Sequence, residues 1–123
     1  MAAARILLVE DDTGIRDSVA ECLELEGYQV SAVANGSDAL EWLAREAPPD
    51  VMLVDLVMPV MSGGELLARV RADPRLASVP AVLMTAAIPG VGSSPPAADA
   101  TLAKPFELDA LLDVVERLSG PRA

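Results

Sequence analysis

Short, strongly apolar runs alternate along this chain with longer stretches whose apolar residues recur every three or four positions. Ile6-Leu7-Leu8-Val9, Tyr28 to Val33, Val51-Met52-Leu53-Val54, Pro80 to Met84 and Ala100 to Ala103 have the length and aliphatic content of strands. Between them lie helix-period stretches. In the first, Ile15, Val19, Cys22, Leu23 and Glu26 sit at helical offsets and Gly27 ends the helix. Asn35-Gly36 makes the next turn, after which Ser37 or Gly36 is expected to cap a helix carrying Ala39, Leu40, Leu43 and Ala44 inward. Pro48-Pro49 stops it. Leu66, Leu67 and Val70 define a third helix, broken at Asp73-Pro74. Leu108, Leu111, Leu112, Val115 and Leu118 define a last one, terminated at Ser119-Gly120-Pro121. Strand and helix alternating in this way predict an α/β domain with a parallel sheet.

One repeat is irregular. Residues 88–96 read IPGVGSSPP, and each interior proline removes a backbone donor and opposes a helix by about 3 kcal/mol. The fourth helix is therefore expected to be missing or degraded, with an irregular loop from Ile88 to Ala98 in its place.

At 123 residues the chain is expected to form one domain around one core. A hydrophobic content of 52% excludes disorder by composition, and with one Trp, one Tyr and one Phe the core must be aliphatic. The net charge of -10 opposes contact with a polyanion, so neither nucleic acid nor an anionic membrane is an expected partner. Cys22 has no second cysteine to pair with and reads as a buried, reduced thiol, which fits a cytoplasmic protein. No apolar run reaches membrane-spanning or signal-peptide length, so a soluble, unprocessed chain is expected.

Charge position says more than charge total. The first apolar run ends in Glu10-Asp11-Asp12 and the third ends in Asp55. On neighbouring parallel strands, Glu10, Asp11 and Asp55 converge, where like charges raise one another's pKa unless a cation holds them. Such a pocket suits a hard, oxygen-liganded divalent ion, most simply Mg²⁺. Open parallel sheets place functional groups at the carboxyl ends of their strands, and Thr85 and Lys104 lie there too. A carboxylate, a metal site, a hydroxyl and a lysine make a phosphoryl-transfer site: Asp55 attacks phosphorus, Asp11 and Asp55 hold the ion, and Thr85 and Lys104 contact the phosphoryl oxygens.

The segments LLVEDD, LVDLVMPVMSG, VLMTA and AKPF together make the chain resemble the receiver domain of two-component response regulators over nearly all its length. The resemblance implies a flavodoxin-like, doubly wound, five-stranded parallel sheet in the order 2-1-3-4-5. It also implies a receiver domain at residues 1–118 with a tail at 119–123. It assigns Asp55 as phosphoacceptor, Glu10 and Asp11 as the acidic pair, Thr85 as signalling hydroxyl and Lys104 as phosphoryl partner. The backbone carbonyl of Val57 becomes a further metal ligand, and Lys104-Pro105 a cis-type peptide. Asp12 is left as a helix cap. The function implied is a switch that takes a phosphoryl group from a phosphohistidine, with Mg²⁺, and passes the signal to a downstream protein. The donor is a histidine kinase or phosphotransfer protein. Such a domain catalyses its own phosphorylation and slow dephosphorylation and turns over no separate substrate. The chain departs from the family at Thr101, where an aromatic switch residue is usual, and in its short stretch between Thr85 and Lys104. Val57 and Ala87, at the two positions that orient an attacking water, are apolar, so a long-lived phosphorylated form is expected.

Two other functions compete. A receiver-like interaction module working without phosphorylation has no need of the complete acid, Thr and Lys set. A hydrolase of the haloacid-dehalogenase type needs a second Asp two residues after the nucleophile, where this chain has Val57. A GxxxxGK phosphate loop is also missing from the sequence.

Overall fold

The computed structural model describes residues 3–86, 98–104 and 106–119. Within them the chain runs β1 (Arg5–Val9), α1 (Thr13–Leu25), β2 (Gln29–Val33), α2 (Gly36–Arg45), β3 (Val51–Asp55), α3 (Gly63–Ala72), β4 (Ala81–Ala86), β5 (Ala100–Lys104) and α4 (Leu108–Ser119). All strand pairs are parallel, in the order β2-β1-β3-β4-β5, the flavodoxin-like arrangement expected. The segment expected to lack its helix lies, apart from Ala98, outside the described residues. So does the second residue of the Lys104-Pro105 peptide.

The period of two along each strand divides the core between the two faces of the sheet. Leu7, Val9, Met52, Val54 and Leu83 point to the face covered by α2 and α3, and meet Ala39, Leu43, Leu66, Leu67 and Val70. Ile6, Leu8, Leu53, Val82 and Met84 point to the other, covered by α1 and α4, and meet Val19, Leu23, Leu111, Val114 and Val115. β1, β3 and β4 are buried on both faces, which is why they read as unbroken apolar runs. On the edge strand β5, Leu102 packs inward while Thr101 and Ala103 are exposed.

Helix ends follow capping chemistry, with one change from expectation. Asp12 caps α1, its side chain accepting the Ile15 amide at 2.9 Å, and Ser62 caps α3 by accepting from Glu65 at 3.1 Å. The cap of α2 is neither Ser37 nor Gly36 but Asn35, whose Oδ1 accepts from the Asp38 amide at 2.8 Å. Gly36 is instead buried as the first helical residue, against Met61. At the other end of α1, Tyr28 N–H donates to Leu23 and Gly27 N–H to Glu24, closing a Schellman motif with Gly27 at φ 95°.

Three side-chain expectations need correction. Ala44 is exposed, because α2 rests on Ala39 and Leu43. Leu108 is 46% exposed and Val114 takes its place inward: α4 docks through Leu111, Val114 and Val115, an i, i+3, i+4 set that lies to one side of the stripe read from the sequence. Cys22 is free but only partly buried, since Val19 and Leu23 are the buried positions of α1.

Candidate functional site

Register builds the site. Val9 is opposite Val54 on the neighbouring strand, so the residues that follow β1 and end β3 emerge side by side, and Asp55 is opposite Met84, so Thr85 emerges one step on. Lys104, which ends β5, is opposite Ala86. The structure thus brings together Glu10, Asp11, Asp55 and Lys104, with Thr85 on the strand between Asp55 and Lys104. One carboxylate oxygen from each of Glu10, Asp11 and Asp55 lies within 4.8 Å of the other two. Glu10 is fully buried, Asp55 is 6% exposed and Asp11 faces solvent. The acid cluster is therefore closed on the sheet side and open at Asp11. Val57 lies on the loop between β3 and α3, with its side chain 74% exposed.

Lys104 holds two of the acids. Its Nζ donates to Glu10 Oε1 at 2.7 Å and lies 3.1 Å from Asp55 Oδ1. Burial raises the Glu10 pKa, against the Lys104 ammonium and the Asp12 N–H that donates to Oε2 at 3.2 Å; the nearby Asp55 charge adds to the rise. For Lys104, burial works against the ammonium, but the hydrogen bonds to Glu10 and Asp55 outweigh it and raise the pKa. Three carboxylates against one ammonium leave the pocket negative, and every clustered ligand atom is an oxygen. That donor set fits Mg²⁺ and not a soft, thiol- or imidazole-seeking metal.

Arg16 was given no role by the sequence. From the first turn of α1 its Nη1 donates to the backbone carbonyl of Glu10 at 2.9 Å, the carbonyl of the peptide that joins Glu10 to Asp11. The only signal was its place four residues after the cap Asp12, which turns it back over the β1 end. The β3–α3 loop holds the other features missed. Gly63 N–H donates to the Leu56 carbonyl at 2.8 Å, and a Cβ at Gly63 would collide with the backbone of Asp55. Only glycine lets α3 begin this close to the backbone of Asp55.

A family model described as the response regulator receiver domain matches residues 6–116. The chain is 37% identical over 115 residues to the response regulator receiver protein CpdR of Brucella abortus, covering 93% of this chain and 95% of that one. Among solved structures it resembles the receiver domain of a sensor histidine kinase from Pseudomonas aeruginosa, with a magnesium ion coordinated in the active site cleft. That match has a TM-score of 0.85 and 30% identity, covering 98% of this chain and 100% of that one. It also resembles the response regulator protein TrrA of Thermotoga maritima in complex with Mg(2+)-BeF, with a TM-score of 0.83 and 31% identity, covering 94% and 98%. Of several other curated relatives the chain spans half the length or less. A five-stranded parallel sheet with an acid cluster and a lysine at its carboxyl edge is the architecture of a receiver-type signalling module. The chain belongs to the response regulator receiver domain family. Among the described residues no helix is long and apolar enough to cross a membrane.

Proposed function

We propose that this domain is a phosphoacceptor switch in which Asp55 takes a phosphoryl group from a phosphohistidine of a histidine kinase or phosphotransfer protein, and signals to a protein partner in the cytoplasm. The single observation that carries the reading is Lys104 bridging Glu10 and Asp55 beside the open carboxylate of Asp11. A module working by interaction alone has no use for a buried acid, a nearly buried acid and a lysine held at hydrogen-bond distance.

Asp55 attacks phosphorus through a carboxylate oxygen; the new O–P bond forms as the P–N bond to the donor imidazole breaks and the imidazole leaves. Glu10, Asp11, Asp55 and the Val57 carbonyl would hold Mg²⁺, which supplies positive charge to the phosphoryl oxygens when bound. Lys104 stays anchored by Glu10 and offers its charge to the phosphoryl group once Asp55 Oδ1 is no longer a free carboxylate oxygen. Thr85, at the strand end between them, donates its hydroxyl to a phosphoryl oxygen. Arg16 and Asp12 keep the Glu10-Asp11 turn in place, so the charges are arranged before the donor arrives. The rest is positioning.

Incubation with a small-molecule phosphodonor and Mg²⁺, followed by intact-mass measurement, tests the reading. One added phosphoryl group is expected on the native chain and none on Asp55→Asn. A mutant that labels as fully as the native chain would overturn the assignment of Asp55, and a native chain that never labels would favour the interaction module.

A further inference from the structure

The β3–α3 loop is strained in a way that phosphoryl chemistry does not by itself require. Met61 N–H donates to the Pro59 carbonyl at 2.7 Å across Val60, whose φ is 71°. This is a γ-turn of the rare positive-φ kind, with a β-branched residue at its centre. Such a turn persists only where its surroundings over-determine it. Val60 gives no such support, being 98% exposed. The anchor is the next residue. Met61 packs against the core beneath α2 and α3, and it rests on Gly36 so closely that a Cβ there would lie 2.7 Å from its Sδ and 3.1 Å from its Cβ and Cγ. This contact is why Gly36 enters α2 as a bare backbone notch while Asn35 does the capping. Met61 also lines, with Asp11, a cleft of about 340 Å³ beside the acid cluster.

Among the described methionines, Met52 and Met84 are 0% exposed and Met58 is 8% exposed, whereas Met61 is only half-buried. A partly buried thioether side chain that lines a cleft and holds a strained loop in a tight notch is positioned to respond to oxidation. We propose that Met61 is an oxidation site through which peroxide loosens the metal-binding loop. A sulfur lone pair takes one oxygen of hydrogen peroxide, the S–O bond forms as the O–O bond breaks, and the other oxygen leaves as water after proton transfer. The sulfur is oxidised by two electrons and the peroxide reduced. The sulfoxide oxygen adds bulk and polarity to an atom already packed on Gly36. Met61 then leaves the notch, the turn at Val60 relaxes, and the backbone at Val57 shifts relative to Glu10, Asp11 and Asp55. The effect on Mg²⁺ rests on the metal reading above, while the selectivity and the loosening do not.

The full chain treated with limited hydrogen peroxide should take its oxygen at Met61 well before Met52, Met58 or Met84, as peptide mass mapping reads. Amide exchange from Gly63 to Leu66 should quicken, and the Mg²⁺ Kd by calorimetry should rise about tenfold, the lower end for losing a group that supports metal ligands. Met61→Leu fills the notch with an apolar side chain that has no thioether, so its amide exchange and Mg²⁺ Kd, whatever their untreated values, should not change with peroxide. Equal oxidation of the buried methionines, or a Met61 sulfoxide with unchanged exchange, would overturn the proposal. So would an unchanged Kd in a protein whose untreated form binds Mg²⁺. An untreated protein that binds no Mg²⁺ would instead remove the metal reading and leave the exchange arm to decide the latch.

Discussion

At the amino ends of the strands, arginines close the loops; at the carboxyl ends, acids are gathered against one another. Arg5 Nη1 donates to the Ala47 and Pro48 carbonyls at 3.0 and 3.2 Å, its guanidinium lies 5.3 Å from the centre of the Trp42 ring, and its amide donates to Asp50. Arg71 donates to the Ala77 and Val79 carbonyls and, at 2.8 Å, to Asp99, whose same oxygen accepts the Ala81 amide and so fixes the start of β4 to the start of β5. Arg75 ties down the end of α2 through the Leu43 and Glu46 carbonyls. Each cation there satisfies backbone acceptors that loops leave over. At the other end, Glu10 and Asp55 share one lysine beside the exposed Asp11, and Val60 sits in a strained turn. One edge is built for stability and the other holds unfavourable charge in place for function.

The sharpest way to break this comparison is to neutralise an acid at the functional edge. Mg²⁺ should raise the melting temperature of the native chain, since a ligand at one hundred times its Kd contributes about 2.7 kcal/mol. Asp11→Asn should lose that shift and, without Mg²⁺, relieve repulsion. Asp12→Asn should keep the shift, because Asn caps a helix about as well as Asp. If Asp11→Asn bound Mg²⁺ with native affinity, the metal assignment would be wrong.

A change at the opposite edge should do the reverse. Arg71→Ala should lower stability by about 1 to 2 kcal/mol, limited because the pair with Asp99 is partly exposed, and should leave phosphorylation and Mg²⁺ affinity unaltered. Urea unfolding and phosphodonor labelling of one preparation read both. A fall in labelling without a fall in stability would mean the two edges are coupled.

Protonation gives a smaller effect whose sign reveals the functional edge. Because the Glu10 pKa is raised by folding, its contribution to stability is fully present below the unfolded carboxyl value and lost as pH rises through the folded value. In chelator, the native chain should therefore gain stability relative to Glu10→Gln as pH falls through that window. With Mg²⁺ the sign reverses, since the ion must displace the proton and affinity falls on acidification. Melting curves of the two proteins across pH, with and without Mg²⁺, check both signs. A constant difference would show that Glu10 is not titrating.

How much of this was legible in the sequence depends on whether a feature is local. β1 and β3 were legible because buried parallel strands are continuous apolar runs, and an acid after such a run marks its carboxyl end; Glu10, Asp11 and Asp55 followed from that. Lys104 was legible as a strand-end residue, but not its bridge to Glu10, which joins positions 94 residues apart. Arg16 was missed because it acts through a backbone carbonyl, which no side-chain motif records. The notch at Gly36 was read as a turn residue, since its reason is Met61 on another element. The inward residues of α4 were misjudged at Leu108 and Val114 because the docking direction, not the helix's own periodicity, selects among adjacent apolar positions.

The smallest expected effect isolates the strain at the functional edge from its charge. Val60 has left-handed backbone geometry while its side chain is exposed, so the substitution Val60→Gly removes steric strain and no packing. Strain of this kind amounts to about 1 to 3 kcal/mol. Glycine offsets part of the gain by giving the unfolded chain more freedom, about 0.5 to 1 kcal/mol. The net should be a stabilisation of about 1 kcal/mol, read from the urea midpoint at unchanged slope. Mg²⁺ affinity should stay native, because Met61, and not Val60, holds the loop in register over Gly36. A destabilised Val60→Gly protein would mean the turn stores no strain. A stabilised one with weakened Mg²⁺ binding would mean that the rigidity of residue 60 itself, and not the anchor beside it, keeps the Val57 backbone near the acids.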